Sequence, residues 1–244
     1  MPVISWVLYA KFSLTGNRQA PLTTIQKFSH PQITLIRLYK TPFLLKKLMP
    51  GYTWHREVKE KTLFLTFDDG PIPEVTPWVL EQLASYKAKA TFFCVGENLV
   101  KHPEVAKQAL AQGHVLGNHT FHHLKGWQSP LEAYIANAAL CQAELEALQP
   151  GRKANLFRPP YGRITRQQAA ALRHTHELIM WDMLTNDYDV SLSPEKCLRK
   201  ALRHTQNGSI IVFHDSLKAK RNMQYALPRF LEHFSGLGYA FETL

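Results

Sequence analysis

The chain has 244 residues, of which 45% are hydrophobic and 20% charged, a composition typical of soluble globular domains. This length suits one large α/β domain or two small ones, and the composition excludes disorder over most of the chain. The net charge of +10 belongs mainly to residues 1–61, with ten Lys and Arg against two acidic residues; residues 62–244 carry nineteen against seventeen. Because the main body is nearly neutral, we expect no nucleic-acid partner, and DNA retention could arise only through the basic segment.

Residues 1–60 are predicted to form a basic N-terminal arm, with the main domain at 61–244. The opening MPVISWVLYAKF is too short to span a bilayer and lacks the basic start of a secretory signal, so we expect no transmembrane segment and a protein that is cytoplasmic or associated with the cell envelope. The later stretch LIRLYKTPFLLKKLMPGYTW mixes large apolar residues with Lys and Arg. It could make a weak contact with an anionic membrane or wall polymer. We favour a helix and strand that close one end of the domain with their lysines in solvent.

Strand and helix patterns alternate from residue 61 onward. Seven strands are predicted, at 62–67, 91–95, 114–118, 156–158, 177–182, 209–214 and 239–243. Helix starts are predicted at four capping residues: Thr76, Ser129, Thr165 and Ser193. The alternation predicts an α/β fold with parallel strands, either closed into a barrel or open, and its chemistry at the carboxyl ends of the strands. The cysteines Cys94, Cys141 and Cys197 form no CxxC pair and are interpreted as structural.

Polar residues are expected to converge at these strand ends. They are Asp68, Asp69, Glu97, His119, Arg158, Asp182, Asp187, His214 and Asp215. Adjacent carboxylates repel each other unless a cation or a base lies nearby. Acids, imidazoles and a guanidinium at one end of a sheet are typical of a catalytic centre.

The stretch GHVLGNHTFHHLKGW offers a metal site. His119 and His123, four residues apart on a helical turn, would share a face, while His122 points elsewhere. Asp69 would complete the ligand set, and Asp68 would act as the base that takes a proton from the attacking water. The alternatives are a solvated His-rich turn and a β-turn in which the Asp side chains cap backbone amides.

Two further stretches extend the hypothesis. In LFRPPYGR, Arg158 can pair with Asp68, and the stiff Pro159–Pro160 turn can aim the amide of Tyr161 at an oxyanion. In IIVFHD, His214 can act as proton donor beside a carboxylate. That carboxylate could be Asp187, with Asp182 and Asp215 as rivals.

With these residues in view, the chain resembles the polysaccharide deacetylases of the NodB homology domain, carbohydrate esterase family 4. The resemblance covers about residues 60–244 and rests on five motifs in order: TFDDGP, HTFHH, RPPYG, WDMLTNDYD and VFHD. It implies a distorted (β/α)7 barrel in a single catalytic domain that follows the arm.

The resemblance implies that a divalent metal, most often zinc, serves hydrolysis of N-acetyl groups on a sugar. It makes Asp69, His119 and His123 the ligands; Co²⁺, Ni²⁺ or Fe²⁺ suit the same set. It makes Asp68 the base, Arg158 its aligning group, Tyr161 the oxyanion donor and His214 the acid, tuned by Asp187.

Two positions depart from the commonest family pattern. Tyr188 stands where Trp is frequent, and Val212 stands where Leu often lines the acetyl pocket; Trp181, which opens the fourth motif, is grouped with them on the substrate side. The predicted substrate is an N-acetylated oligo- or polysaccharide such as chitooligosaccharide, peptidoglycan or an exopolysaccharide. Alternatives are a metal hydrolase of small amides or esters and an inactive carbohydrate-binding module.

Overall fold

The computed structural model describes residues 39–151 and 155–244. It contains eight strands: β1 Thr62–Asp68, β2 Ala90–Cys94, β3 Val115–Asn118, β4 Leu156–Phe157, β5 Glu177–Leu178, β6 Met183–Leu184, β7 Ile210–His214 and β8 Ala240–Phe241. The strands pair in parallel in the order β5-β4-β3-β2-β1-β7-β6, and β8 pairs with the start of β1. The sheet is curled and covered by helices, which confirms the predicted barrel-like α/β domain.

The strand register places the polar residues at the carboxyl ends of neighbouring strands side by side. Asp68, the last residue of β1, pairs with Phe93 of β2 on one side and with His214 of β7 on the other. His119 follows directly after β3, and Arg158 directly after β4. The carboxyl ends of five strands therefore surround one opening, as expected for parallel α/β folds.

The single strand predicted over 177–182 is wrong. Residues 177–178 form β5 against β4, whereas 183–184 form β6 against β7 at the other edge of the sheet. Residues 179–182 connect β5 to β6 directly, and so they join the two edges of the curled sheet. Arg158 accounts for part of this bend, because its side chain donates to the carbonyls of Ile179 and Met180.

In the described part of the chain, eight helices pack around the sheet: α1 Phe43–Leu48, α2 Thr76–Ser85, α3 Gly96–Lys101, α4 Pro103–Ala111, α5 Leu131–Leu148, α6 Arg166–Leu172, α7 Pro194–His204 and α8 Lys220–Gly236. The caps at Thr165 and Ser193 form as predicted. The predicted caps at Thr76 and Ser129 do not form. Thr76 is already helical, with its hydroxyl bonded to Asp215, and the Ser129 hydroxyl donates to the carbonyl of Lys125.

The two faces of β1 have different roles. Leu63, Leu65 and Phe67 are buried in the large core between sheet and helices. Since side chains alternate along a strand, Thr66 and Asp68 face the inside of the curl. The buried polar side chains of the site are therefore supported from behind by the main hydrophobic core.

The described part of the predicted arm packs on the domain, and residues 39–60 belong to the same compact unit as the described residues that follow them. Leu45 and Trp54 are buried, and short bridges join Thr53 to Ile179 and His55 to Ser209. Residues 39–60 thus pack on the domain as one helix and isolated bridges, without the favoured strand, and Lys46 contacts buried Asp182 instead of solvent. The rest of the predicted arm lies outside the described residues. None of the helices in the described part of the chain has the length and apolar character that a membrane crossing requires.

Candidate active site

The two adjacent aspartates end β1 in a turn that is held from behind. Asp69 has a left-handed backbone with φ of 88°, which is uncommon for a residue other than glycine. The carboxylate of Asp215 accepts from the amide of Gly70 at 3.0 Å, and the amide of Asp215 donates to the carbonyl of Asp68 at 3.1 Å. A Cβ on Gly70 would lie 1.9 Å from Asp215 Oδ2, so the turn requires glycine there.

Asp69, His119 and His123 bring three donor atoms within 4.8 Å of one another. Nε2 of His123 lies 3.3 Å and Nε2 of His119 lies 3.9 Å from Asp69 Oδ1. Nδ1 of His119 lies 2.7 Å from the carbonyl of Arg158, which can only accept, so Nδ1 carries the proton and Nε2 offers its lone pair. This arrangement of an imidazole fixed through its second nitrogen fits a metal ligand.

Both imidazoles of the cluster favour the neutral form that metal binding needs. Burial lowers the pKa of His119. Burial, together with the neighbouring His119, lowers the pKa of His123 to about 4. At neutral pH the cluster therefore presents two neutral nitrogens and one carboxylate, a donor set that suits Zn²⁺ and other divalent transition metals.

The helical turn predicted for HTFHH is wrong, although the two histidines do meet. Thr120 and His123 both have positive φ, at 63° and 53°, and the segment is a loop. Asn118 Oδ1 accepts from the amide of Thr120, and Thr120 Oγ1 accepts from the amide of Leu124. His122 points elsewhere, with Nδ1 2.7 Å from the side-chain nitrogen of Asn137, as predicted.

Asp68 is buried beside a fully buried guanidinium. Arg158 Nη1 donates to Asp68 Oδ1 at 2.6 Å and to Thr66 Oγ1 at 2.7 Å. Burial alone would raise the pKa of Asp68, but the charge and hydrogen bond of Arg158, together with the charge of His214, outweigh it and hold that pKa below its usual value. Asp68 is therefore ionised at neutral pH, with Oδ2 4.0 Å from Nε2 of His119, beside the cluster of Asp69, His119 and His123.

His214 is paired with Asp187, and neither rival contacts its ring. Nδ1 of His214 donates to Asp187 Oδ1 at 2.7 Å, and the amide of His214 donates to Oδ2 at 2.8 Å. Burial alone would lower the pKa of His214, but the carboxylate of Asp187 raises it to about 9. The imidazole is thus protonated at neutral pH and available as a proton donor.

The remaining predicted residues lie around these groups. Tyr161 is half exposed in a left-handed backbone with φ of 59°, and its ring contacts His123 with centroids 4.6 Å apart. The indole of Trp181 lies against Gly162, next to Tyr161. On the other side of the site, the ring of Tyr188 packs edge-on against His214. Val212 is fully buried within β7.

Two of the predicted strand-end acids, Glu97 and Asp182, lie away from the site, and a third, Asp215, is at its strand end but does not bond His214. Glu97 is exposed and paired with Lys101 on α3. Asp182 lies at the amino end of β7, where it contacts Lys46 and accepts from Ser209 Oγ at 2.5 Å. Asp215 accepts from the amide of Gly70 and supports that turn, whereas the ring of His214 donates to Asp187. The split of the predicted strand explains Asp182, because that residue precedes β6 and does not follow a strand.

Sequence reasoning missed Thr66 as a support of the site, and it named Asp215 without its contact to the turn at Gly70. Thr66 is fully buried, accepts from Arg158 and donates to the carbonyl of Ile211 at 2.7 Å. A single hydroxyl inside the apolar run LFLTF was the available signal, because a buried polar group needs a partner. Asp215 lies directly after His214, and its sequence position alone carried no sign of which group it faces.

Comparisons with known proteins place this site in a family. The family model "Polysaccharide deacetylase" matches residues 55–177. A peptidoglycan-N-acetylglucosamine deacetylase of Bacillus cereus is 32% identical over 213 residues, covering 82% of this chain and 95% of the relative. A chitooligosaccharide deacetylase of Azorhizobium caulinodans is 32% identical over 160 residues, covering 64% of this chain and 74% of the relative.

A solved structure shows the same fold. It is that of a peptidoglycan N-acetylglucosamine deacetylase in complex with 4-naphthalen-1-yl-N-oxidanyl-benzamide, with a TM-score of 0.76 and 29% identity over 84% of this chain and 95% of that one. The family model and these relatives identify a hydrolase of carbon–nitrogen bonds other than peptide bonds. The chain belongs to the polysaccharide deacetylase family, whose members are metal-dependent.

Proposed function

We propose that this protein hydrolyses N-acetyl groups of amino sugars in a glycan and releases acetate. The proposal rests on one observation: three sets of side chains lie together at the carboxyl ends of the strands. One is the Asp69, His119 and His123 cluster. The others are an ionised carboxylate at Asp68, beside that cluster, and a protonated imidazole at His214, its register partner on β7, which are a base and an acid.

The proposed substrate is the N-acetylglucosamine unit of peptidoglycan, with chitooligosaccharides as the second choice. The support is the extent of the alignments. The Bacillus cereus relative, named for the first substrate, aligns with this chain over 95% of its length, whereas the relative named for the second substrate aligns over 74%. Both substrates present an acetamide on a sugar ring, so the same catalytic groups serve either.

The metal that we propose for the cluster is Zn²⁺, with Co²⁺, Ni²⁺ or Fe²⁺ as alternatives that accept the same donors. A divalent cation held by Asp69, His119 and His123 supplies positive charge that polarises the acetamide carbonyl and acidifies a water molecule. The carbonyl of Arg158 keeps His119 in the tautomer that leaves Nε2 free for that role.

Asp68 is the proposed base, and it takes a proton from the water that attacks the carbonyl carbon. Arg158 keeps this carboxylate charged and oriented, since it donates to Oδ1 and leaves Oδ2 facing the cluster. The amide of Tyr161 is the proposed donor to the oxyanion. His214 then protonates the sugar nitrogen as the carbon–nitrogen bond breaks, which yields acetate and a free amine.

The test is acetate release from N-acetylchitooligosaccharides and from peptidoglycan fragments, after chelation and again after zinc is added back. We expect release that chelation abolishes and zinc restores. The control is Asp68→Asn, which should retain metal while losing about 10²–10⁴-fold in kcat. Metal binding without acetate from either substrate would favour a hydrolase of small amides or esters, and failure to bind metal would favour an inactive carbohydrate-binding module.

A further inference from the structure

A compact set of large apolar side chains lies exposed on α1. Phe43, Leu44 and Leu48 are 78%, 65% and 66% exposed, and the exposed Lys47 lies among them. We call these four residues the α1 patch. Single exposed apolar residues are ordinary, but three large ones on a helix of six residues indicate a contact surface.

Contacts on the opposite side of α1 fix the orientation of the helix and keep the patch exposed. Leu45 is buried, and Lys46 contacts the buried carboxylate of Asp182. Just before the helix, the amide of Thr41 donates to the carbonyl of Asp182 at 2.9 Å, and its hydroxyl donates to the carbonyl of Trp181 at 2.7 Å. Rotation of α1 that buried the apolar side chains would break these bonds and expose Leu45.

Besides Lys47 in the patch itself, basic side chains contact the chain just before and just after α1. Lys200, near the end of α7, lies 5.3 Å from the ring centre of Tyr39, and Arg173 donates to the carbonyl of Gly51. The acid that contacts α1, Asp182, is already paired with Lys46, and Glu177, which contacts the following segment, is paired with Arg56. Apolar side chains next to cations match a surface that offers both hydrocarbon and negative charge.

We infer that the α1 patch docks the protein on the surface of an anionic phospholipid bilayer, with Phe43, Leu44 and Leu48 inserted at the headgroup level. A soluble polyanion would engage the cations and leave the three apolar side chains in water. A bilayer accounts for both features, and the contact is peripheral.

The position of the patch sets the direction in which the site faces. Asp182, which anchors α1, bonds the first residue of β7 and its neighbour Ser209, whereas His214 is the last residue of that strand. The five residues of β7 span about 13 Å between these ends. A molecule docked through α1 therefore turns the Asp68 and His214 end away from the bilayer.

The first experiment is flotation of the full chain with vesicles of equal parts phosphatidylglycerol and phosphatidylcholine, and with phosphatidylcholine alone. We expect salt-sensitive binding to the anionic vesicles, reduced at least tenfold in the triple variant Phe43→Ser/Leu44→Ser/Leu48→Ser. The matched control is Val100→Ser/Leu140→Ser/Leu237→Ser, which removes three exposed apolar side chains elsewhere and should bind like the native chain.

A second measurement reports insertion directly. Since Cys94, Cys141 and Cys197 are buried free thiols, a polarity-sensitive dye can be attached selectively to Leu48→Cys or, as the control, Leu237→Cys. A blue shift with anionic vesicles at Leu48→Cys alone supports docking. The inference is overturned if the native chain does not bind vesicles, or if the triple variant binds them as well as the native chain does. It is also overturned if the patch causes self-association and the protein does not bind vesicles. None of these results depends on acetate release, which should be unchanged in the triple variant.

Discussion

Asp215 accepts a hydrogen bond from the amide of Gly70 and so holds the turn that presents Asp69. A second bond, from Thr76 Oγ1 at 2.6 Å, fixes the other carboxylate oxygen. In Asp215→Asn, an NH₂ group replaces the oxygen that accepts from Thr76, so the buried Thr76 hydroxyl loses its acceptor. We expect a loss of about 1–3 kcal/mol in unfolding free energy and about 10–100-fold weaker metal binding.

Chemical denaturation and calorimetric titration with zinc would measure these two changes. The matched control is Thr76→Ser, which keeps the hydroxyl that bonds Asp215 and should bind zinc as the native chain does. Native zinc affinity in Asp215→Asn would show that the turn at Asp69 does not need this carboxylate.

Arg158 and Asp68 form a buried pair whose members depend on each other. In Arg158→Met, the carboxylate of Asp68 is left buried without its counter-charge, and the Thr66 hydroxyl loses its donor. We expect a destabilisation of about 3–5 kcal/mol. The pKa of Asp68 should rise, because burial raises it once the guanidinium is gone.

The double variant Arg158→Met/Asp68→Asn tests the coupling, because the uncompensated charge is then absent. Its unfolding free energy, measured in urea on metal-free protein, should lie closer to the native value than that of Arg158→Met. Simple additivity of the two single changes would contradict a direct interaction.

Parts of the fold and site followed from local sequence. Alternation of strand and helix patterns predicts the parallel sheet, and Asp68, Asp69, His119, Arg158 and His214 were located because each follows or ends an apolar strand. These inferences work since the carboxyl ends of parallel strands share one edge.

What failed depended on contacts distant in sequence. The break between β5 and β6 is stabilised by Arg158, about twenty residues earlier in the chain, and no local pattern records it. The loop at His119 uses left-handed residues where the four-residue spacing of the histidines indicated a helical turn. Glu97 follows a strand but faces solvent, because α3 begins there and directs its side chain outward.

Asp187 sets the proton affinity of His214, and its effect has a definite pH dependence. The folded pKa of about 9 lies above the unfolded value of about 6.5. The pair therefore contributes stability that is full below about pH 6.5 and is lost as the pH rises through 9. In Asp187→Asn, the alkaline limb of the pH profile of kcat/KM should move to lower pH.

The pH profile with soluble oligosaccharide and the NMR titration of His214 would measure this shift. The control is Asp189→Asn, because that nearby carboxylate bonds Ser191 instead of His214. An unchanged alkaline limb in Asp187→Asn would mean that His214 is not the group whose deprotonation limits turnover.

His119 and His122 offer a matched pair for testing the metal-binding cluster. His119 is buried with Nε2 facing Asp69, whereas the ring of His122 bonds Asn137 outside the cluster. His119→Ala removes one of three donors, and we expect zinc affinity to fall by at least about 10–100-fold with loss of acetate release that added zinc does not restore. His122→Ala should retain both zinc and activity. Zinc content per protein, measured after dialysis, separates the two variants, and equal retention would exclude His119 as a ligand.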